Sequence, residues 1–353
     1  MKILEDLRLN VSLLRRRVPN LTTAAKSVGL RPATVSNLCT GKIPVGRSEV
    51  RTLVALASLA ECSLDELIIR GEKVEMIETK IKALDLFAPL AKGGTIGLLA
   101  RHGMGQLVLL SELFFRLKKD DYTTILLMPK GDYPELNDVT ANTDIIAHTI
   151  DQAYEEIAVK GTTNEIAFAA DRRNVLTGEI YDLQERLQAI GIQNVTTFLV
   201  DLTGESVDED LPYGPLETLW QFDADLSARH KFPAINPIYS TSSVLEGAHL
   251  DQNHLTTQQR AQKLLRRYRE LRSLVNVRGL NHLPAAEIQT FKRGERLEAY
   301  LTQPFYVAEE FTEQKGESVA LADTINDVRK ILDGVTDSIE IDRLTYIGQY
   351  IAD

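Results

Sequence analysis

Apolar residues recur along this chain in two different rhythms. Over residues 4–17, Leu4, Leu7, Leu9, Val11, Leu13 and Leu14, with Val18 just beyond, fall on a broad helical stripe that Pro19-Asn20 stops. Thr22 or Thr23 is placed to cap the next helix, a short one over residues 24–28 that ends at Gly29. A glycine there accepts a left-handed turn without a Cβ clash. Pro32 suits the first turn of a third helix running to about Thr40 and closed by Gly41. Ala25, Val28, Leu30, Val35 and Leu38 are the expected buried positions.

Beyond a charged hinge at residues 70–73 the rhythm changes to strands alternating with helices. Strands are expected at residues 95–100, 123–128, 144–150, 165–170 and 196–201, with helices such as 106–119 and 181–190 between them. Such alternation implies a mainly parallel sheet with helices on its faces. A long helical tail follows, and the stripe within residues 259–277 reads as core packing rather than an oligomer seam. The expected division is 1–72, 73–250 and 251–353.

Charge sharpens this division. The whole chain carries a net −10, yet residues 1–57 hold ten Lys/Arg against three acids, leaving the rest strongly acidic. A basic head on an acidic body implies that the head alone meets a polyanion, the alternative being a solvated basic face. The 44% hydrophobic and 25% charged composition fits a globular protein. No apolar run reaches the roughly 18–20 residues of a membrane span, and the first residues lack the layout of a secretory signal. A cytoplasmic protein with no membrane association is expected. Cys39 and Cys62 form no disulfide framework or CxxC pair, and the six histidines form no HxxxH or HxH cluster, so no metal site is expected. Cys39 reads as a small buried apolar residue rather than a redox switch.

Two short helices joined by a glycine turn, the second presenting small polar side chains, form the helix-turn-helix pattern. The segment LTTAAKSVGLRPATVSNLCTGK, followed by VRTLVALASLAECSLDELI, resembles the Cro/CI-type (Xre-type) helix-turn-helix domain. The resemblance implies that residues 31–40 lie in the major groove of double-stranded DNA. Ala33, Thr34, Ser36 and Asn37 then face base edges, while Arg31, Lys42 and Arg47 hold phosphates. The alternative is a protein-docking use of the same helices.

In the body, the strand TIGLLA leads through RHGMG into the helix QLVLLSELFFRLKK, where a phosphate loop would sit. Such a loop works through backbone N–H groups and a helix N-terminus, and needs a Lys for the phosphates and a Ser/Thr for Mg²⁺. The stretch ETKIKALDLFAPLAKGGTIGLLARHGMGQ resembles the part of the ATP synthase β subunit that ends in its phosphate loop. By that resemblance Ala100 stands at the loop's first glycine, Gly103 and Gly105 are kept, Gln106 replaces the lysine and Leu107 the threonine. In MPKGDYPELNDV the family's catalytic glutamate reads Gly131, and in FDADLSARHKFPAINPIYSTS the family arginine reads Ala224. Asp201 matches the acid that closes the second nucleotide-binding strand, and the chain between Asp201 and Phe222 is much shorter than in the family. QRAQKLLRRYRELRSLVNVRGLNHLP, AYLTQPFYVAEEFT, LADTINDVRKILDGV and TYIGQYIAD follow the family's C-terminal helical domain. Only Glu287 remains acidic in the family's stalk-contacting loop, so no torque coupling is expected.

The resemblance thus implies a multidomain chain: an all-α head, an α/β RecA-like P-loop domain and an all-α C-terminal domain. Phe232, Phe305 and Phe311 fall where the family packs aromatics around adenine. They are either a surviving base slot or filler between sheet and helices. Arg101 or His102, with the helix N-terminus, offers at most weak purchase on ATP or ADP. Without Lys, Thr and Glu no catalytic residue and no Mg²⁺-dependent hydrolysis is expected, and no cofactor. The leading expectation is a sequence-specific DNA-binding transcription regulator, not an enzyme, whose body serves oligomerisation or ligand sensing. A homo-oligomer is expected because the family forms rings. A docking scaffold with an unknown protein partner is the alternative, and a working ATPase or helicase the most remote.

Overall fold

The computed structural model describes residues 7–10, 13–14, 17–18, 21–39, 43, 45–70, 75–101, 103–202, 216–246 and 250–351. The chain divides into two compact units, Met1–Glu75 with Ser243–Asp251, and Met76–Ser242 with Gln252–Asp353.

The first unit is not all helical. Strand β1 (Leu7–Leu9) pairs antiparallel with β2 (Ile68–Arg70), which corrects the helix expected over residues 4–17. Three residues alternating apolar and basic satisfy a period of two as well as a helical stripe, and the partner strand decides between them. Helical backbone is described only from Leu13 onward. Its start is set by Asn10, whose side-chain oxygen accepts the Leu13 N–H at 3.1 Å while its carbonyl accepts the Leu14 N–H.

Helix Leu21–Ser27 begins before Thr22 and Thr23, so neither residue caps it as expected. Its end is as anticipated. Gly29 has φ +74°, its N–H bonds to the Lys26 carbonyl and the Leu30 N–H to the Ala25 carbonyl, the paired bonds of a Schellman turn. Helix Pro32–Cys39 follows, then Val50–Leu59 and Leu64–Leu67, the last opened by a reciprocal Ser63–Glu66 capping box. Leu14, Ala25, Val35, Leu38, Leu56 and Leu67 are buried in one core, with Leu30 half-buried against it. Val28, expected inside, is 40% exposed, because it lies past the last helical residue and off the stripe's period. The Cys39 side chain, Thr40, Gly41 and most of the hinge lie outside the described residues.

The second unit opens with a short antiparallel pair, β3 (Met76–Ile77) and β4 (Leu90–Ala91), and its main sheet has seven strands: β5 (Thr95–Leu99), β6 (Thr123–Leu127), β7 (Ile145–Ala147), β8 (Ile166–Asp171), β9 (Val195–Val200), β10 (Thr218–Gln221) and β11 (Thr241–Ser242). Their order is β11-β10-β5-β9-β8-β6-β7, parallel throughout except for β11. The strand expected at 144–150 stops at Ala147, since the Thr149 hydroxyl caps helix Ile150–Lys160 by accepting the Gln152 N–H. Alternate residues feed two cores. Leu126, Ala167 and Phe198 join helix Gln106–Lys119 through Leu110, Leu113 and Phe114. Ile125, Phe168 and Leu199 join Ile157 and Leu183 of helices Ile150–Lys160 and Glu179–Ala189.

Helices Gln252–Arg278, Ala285–Tyr300 and Leu321–Leu332 complete this unit. Ala261, Leu265, Tyr268 and Leu271 are buried, so the stripe on the first of them is core, although Leu274 and Val277 emerge at its end. At Gly294 a Cβ would come within 2.3 Å of Tyr268 Cβ, so the two longest helices meet where no larger residue fits.

A buried ion pair on helix Gln106–Lys119 joins that helix to residues 79–80 and to the connection between the last two of these helices. Glu112 is fully buried and Arg116 nearly so, with Arg116 Nε 2.7 Å from the Glu112 carboxylate. Arg116 also donates to the carbonyls of Thr79, Lys80 and Glu317 and to the Ser318 hydroxyl, while Glu112 accepts the Val307 N–H at 3.0 Å. Nearby, the Lys82 ammonium is buried over the Tyr300 ring and donates to the Ile347 carbonyl at 2.8 Å. Burial, opposed by Asp327 and Glu317, lowers its pKa from 10.5 to about 7.

The native chain therefore releases this proton near pH 7, whereas the unfolded chain keeps it until about 10.5. From Lys82 alone, stability should rise with pH across that window, because the unfolded state binds more protons. Lys82→Met should lose that rise, read as the difference in urea unfolding midpoints between variant and parent from neutral to alkaline pH.

Candidate functional site

In the first unit, the expected DNA-reading residues sit on or beside helix Pro32–Cys39. Val35 and Leu38 anchor it in the core, so its opposite side faces outward. Arg31 and Ala33 are exposed, and Thr34 and Asn37 are half-buried on the rows between. Arg31 precedes the helix and its carbonyl accepts the N–H groups of Thr34 and Val35, which fixes where the first turn begins. Arg47 is exposed at the end of the 3₁₀ turn Val45–Arg47. The Ser36 side chain and Lys42 lie outside the described residues. Arg51, also basic, is engaged by Glu49 on the surface.

In the second unit, the loop between β5 and helix Gln106–Lys119 leaves the carboxyl edge of the sheet, the edge where open α/β sheets place ligands. Gly103 and Gly105 have φ of +80° and +90°, and Gly105 occupies the N-cap position with its carbonyl accepting the Leu109 N–H. Arg101 is exposed, while its backbone N–H donates to the Met104 sulfur at 3.2 Å and turns the loop inward on the buried Met104. Gln106 is only 3% exposed, and among the described residues its amide has no hydrogen-bond partner. Leu107 packs against the core beneath the sheet. An amide and an isobutyl group thus occupy the first turn, so it carries neither a positive charge to neutralise a polyphosphate nor a hydroxyl for Mg²⁺. An open cavity of about 430 Å³ adjoins the loop, lined by Leu99, Ala100, Arg101, Met104, Phe222 and Ala224 among others.

The three aromatics are not brought together as one slot. The Phe232 ring lies 3.7 Å from where a Gly105 Cβ would stand, directly against the loop. Phe305 is buried in the core under the sheet. Phe311 is 82% exposed, on the four-residue helix Glu309–Thr312, which corrects its expected packing with the other two. Asp201 follows β9 and is 4% exposed. Beside it, at the end of β8, stands Asp171, which the sequence reading passed over. Its carboxylate accepts N–H groups from Arg173 and Leu202 at 2.9 and 2.8 Å, so it ties two strand ends together. Its signal in the sequence was an acid closing an apolar run ahead of Arg172-Arg173.

Gly131 has φ +131°, and a Cβ there would stand 2.9 Å from the Tyr133 ring. The backbone has therefore settled into a conformation that side chains rarely adopt.

Residues 245–343 match the family model of the C-terminal domain of V and A type ATP synthase. This stretch takes in helices Gln252–Arg278, Ala285–Tyr300 and Leu321–Leu332. The helical end of the chain is similar to that domain, and the sheet with its altered loop and the basic head lie outside the match. Among the described residues no helix is long and apolar enough to cross a membrane, and no cluster of His, Cys, Asp and Glu could hold a metal ion.

Placing a carboxylate at residue 131 should be unfavourable. Gly131→Glu is expected to destabilise the chain by about 1–3 kcal/mol, the range for a side chain held in a sparsely populated backbone region. An unchanged urea unfolding midpoint would show that this loop relaxes freely.

Proposed function

We propose that this chain is a sequence-specific DNA-binding transcription regulator. In this reading its body is a non-hydrolysing relative of ATP synthase catalytic chains that serves self-association or ligand sensing. The observation that carries the reading is the outward face of helix Pro32–Cys39. A helix locked down by Val35 and Leu38 presents Arg31, Ala33, Thr34 and Asn37, small or hydrogen-bonding groups suited to base edges and phosphates, from the basic part of the chain. The glycine turn at Gly29 supports it by fixing the joint between this helix and the one before it.

For the body, the supporting observations are the buried, uncharged first turn at Gln106-Leu107 and the glycine at 131. Phosphoryl transfer depends almost wholly on charge placement, and here that charge is missing. Self-association fits a reader of this kind, because one small head makes few contacts and linked heads raise effective concentration.

Selection of bound duplexes from a random pool should yield a defined site, with affinity falling steeply as salt rises. Arg31→Ala/Thr34→Ala/Asn37→Ala should abolish that preference, each base contact contributing about 1–3 kcal/mol of discrimination. Arg47→Ala should weaken all sequences alike and lower the salt slope by about 1. Salt-independent binding without preference would overturn the reading.

Purified chain should release no phosphate from ATP above background with Mg²⁺ present. Mg²⁺-dependent release that disappears in Asp201→Asn would instead make it an ATPase.

A further inference from the structure

A second open cavity of this unit lies apart from the phosphate-type loop, with a volume of about 630 Å³. Its floor is apolar, made by Leu226, Pro233, Ile235, Leu265 and Leu301. Its rim is charged, with Asp223, Asp225 and Glu298 set among Lys231, Arg269 and Arg272. What such a rim can bind depends on which of these groups still has hydrogen-bonding capacity.

The acids have little left. Asp223 Oδ1 accepts the backbone N–H groups of Asp225 and Leu226 at 2.9 and 3.4 Å, and Oδ2 accepts the Asn236 amide at 2.7 Å. Asp225 Oδ2 accepts from Arg229 Nε at 3.0 Å, from Arg229 Nη2 at 2.9 Å and from Arg272 as well. Glu298 takes the Arg229 guanidinium on both oxygens, with the Tyr268 hydroxyl at 3.5 Å. The donors are different. Among the described residues the Lys231 ammonium makes no hydrogen bond and no close ion pair, and only the longer-range attraction of Glu295 acts on it. Arg269 reaches Asp223 only at 3.4 Å and otherwise lies 5.8 Å from the Tyr239 ring centroid. The capacity left over is cationic and donating, above an apolar floor.

Lys231 is held at this rim by its backbone. Helix Ala224–Ala228 ends in a Schellman turn, with His230 at φ +54° and the Lys231 N–H bonded to the Leu226 carbonyl at 2.9 Å. The helix end therefore fixes the backbone position from which the lysine side chain extends.

We propose that this cavity binds a small amphipathic carboxylate. Its carboxylate lies between Lys231 and Arg269, and its hydrocarbon part lies on Leu226, Ile235 and Leu265. A free phosphate would leave the floor unused, and a neutral hydrocarbon would leave the donors unused. The site stands whether or not the head reads DNA, so the two tests fail separately.

Titration calorimetry of the full chain with octanoate, and with octanamide as its uncharged counterpart, tests the assignment. Octanoate should bind at least tenfold more tightly than octanamide. Lys231→Gln should weaken octanoate about tenfold, the loss of one charge-assisted hydrogen bond, whereas Lys231→Arg should keep most of the affinity. Because Lys231 makes no side-chain hydrogen bond or close ion pair among the described residues, both variants should unfold near the parent's urea midpoint. No measurable octanoate binding, equal affinity for acid and amide, or an unaffected Lys231→Gln would each overturn the proposal.

Discussion

Everything in the larger unit hangs on a charge taken out of water. A buried Glu112–Arg116 pair is expensive to desolvate, and hydrogen bonds to its remaining protons and lone pairs offset that cost. Several such bonds are present here. The guanidinium spends its other hydrogens on two carbonyls before the first sheet helix and on a carbonyl and a hydroxyl near residue 317, and the carboxylate spends its second oxygen on Val307. Gln303 reinforces the same junction, donating to the Lys80 and Glu317 carbonyls and accepting the Lys82 N–H. The helix that follows the β5 loop is thereby fixed to the C-terminal helices through polar groups as well as apolar ones. The polar contacts demand one geometry, and the apolar cores alone would accept several.

Helix ends supply the second constraint. The same paired-bond ending appears after helices Leu21–Ser27, Val50–Leu59, Glu179–Ala189, Ala224–Ala228 and Leu321–Leu332, with Gly29, Glu61, Gly191, His230 and Gly334 in the left-handed position. Three of these five are glycines, as the missing Cβ favours. Glu61 holds the same conformation while its carbonyl accepts the Arg17 guanidinium at 2.8 Å. These endings decide where each connection leaves its helix, and so which side chains the following residues present.

The alternation of strands and helices was legible because central parallel strands are continuous apolar runs, and TIGLLA, TTILLM and TTFLVD could be little else. Helix Gln106–Lys119 was legible to the residue, bracketed by Gly105 and Asp120. What escaped was non-local. Strand β1 exists because a partner waits some 60 positions downstream, and three residues carry no such information. Phe311 shares the spacing of a packed aromatic, yet its four-residue helix leaves it in solvent. The charged cavity joins Lys231 to Arg269 and Arg272 across nearly 40 positions, and in the sequence those arginines are only two among many on a polar helix. Asp171 has a local signal, an acid at a strand's end, but its place beside Asp201 follows from the pairing of β8 with β9, which adjacent residues do not encode.

The Tyr346 hydroxyl accepts the Phe232 N–H at 3.1 Å and donates to the His230 carbonyl, clasping the bend that carries Lys231 between them. Tyr346 is itself held from behind, its N–H on the Thr302 hydroxyl at 2.7 Å. The closing stretch of the polypeptide thus acts as a bracket for a segment more than a hundred residues earlier. A chain cut ahead of Tyr346 would keep every strand of the sheet and still lose the brace on the one bend that faces both the glycine loop and the charged hollow.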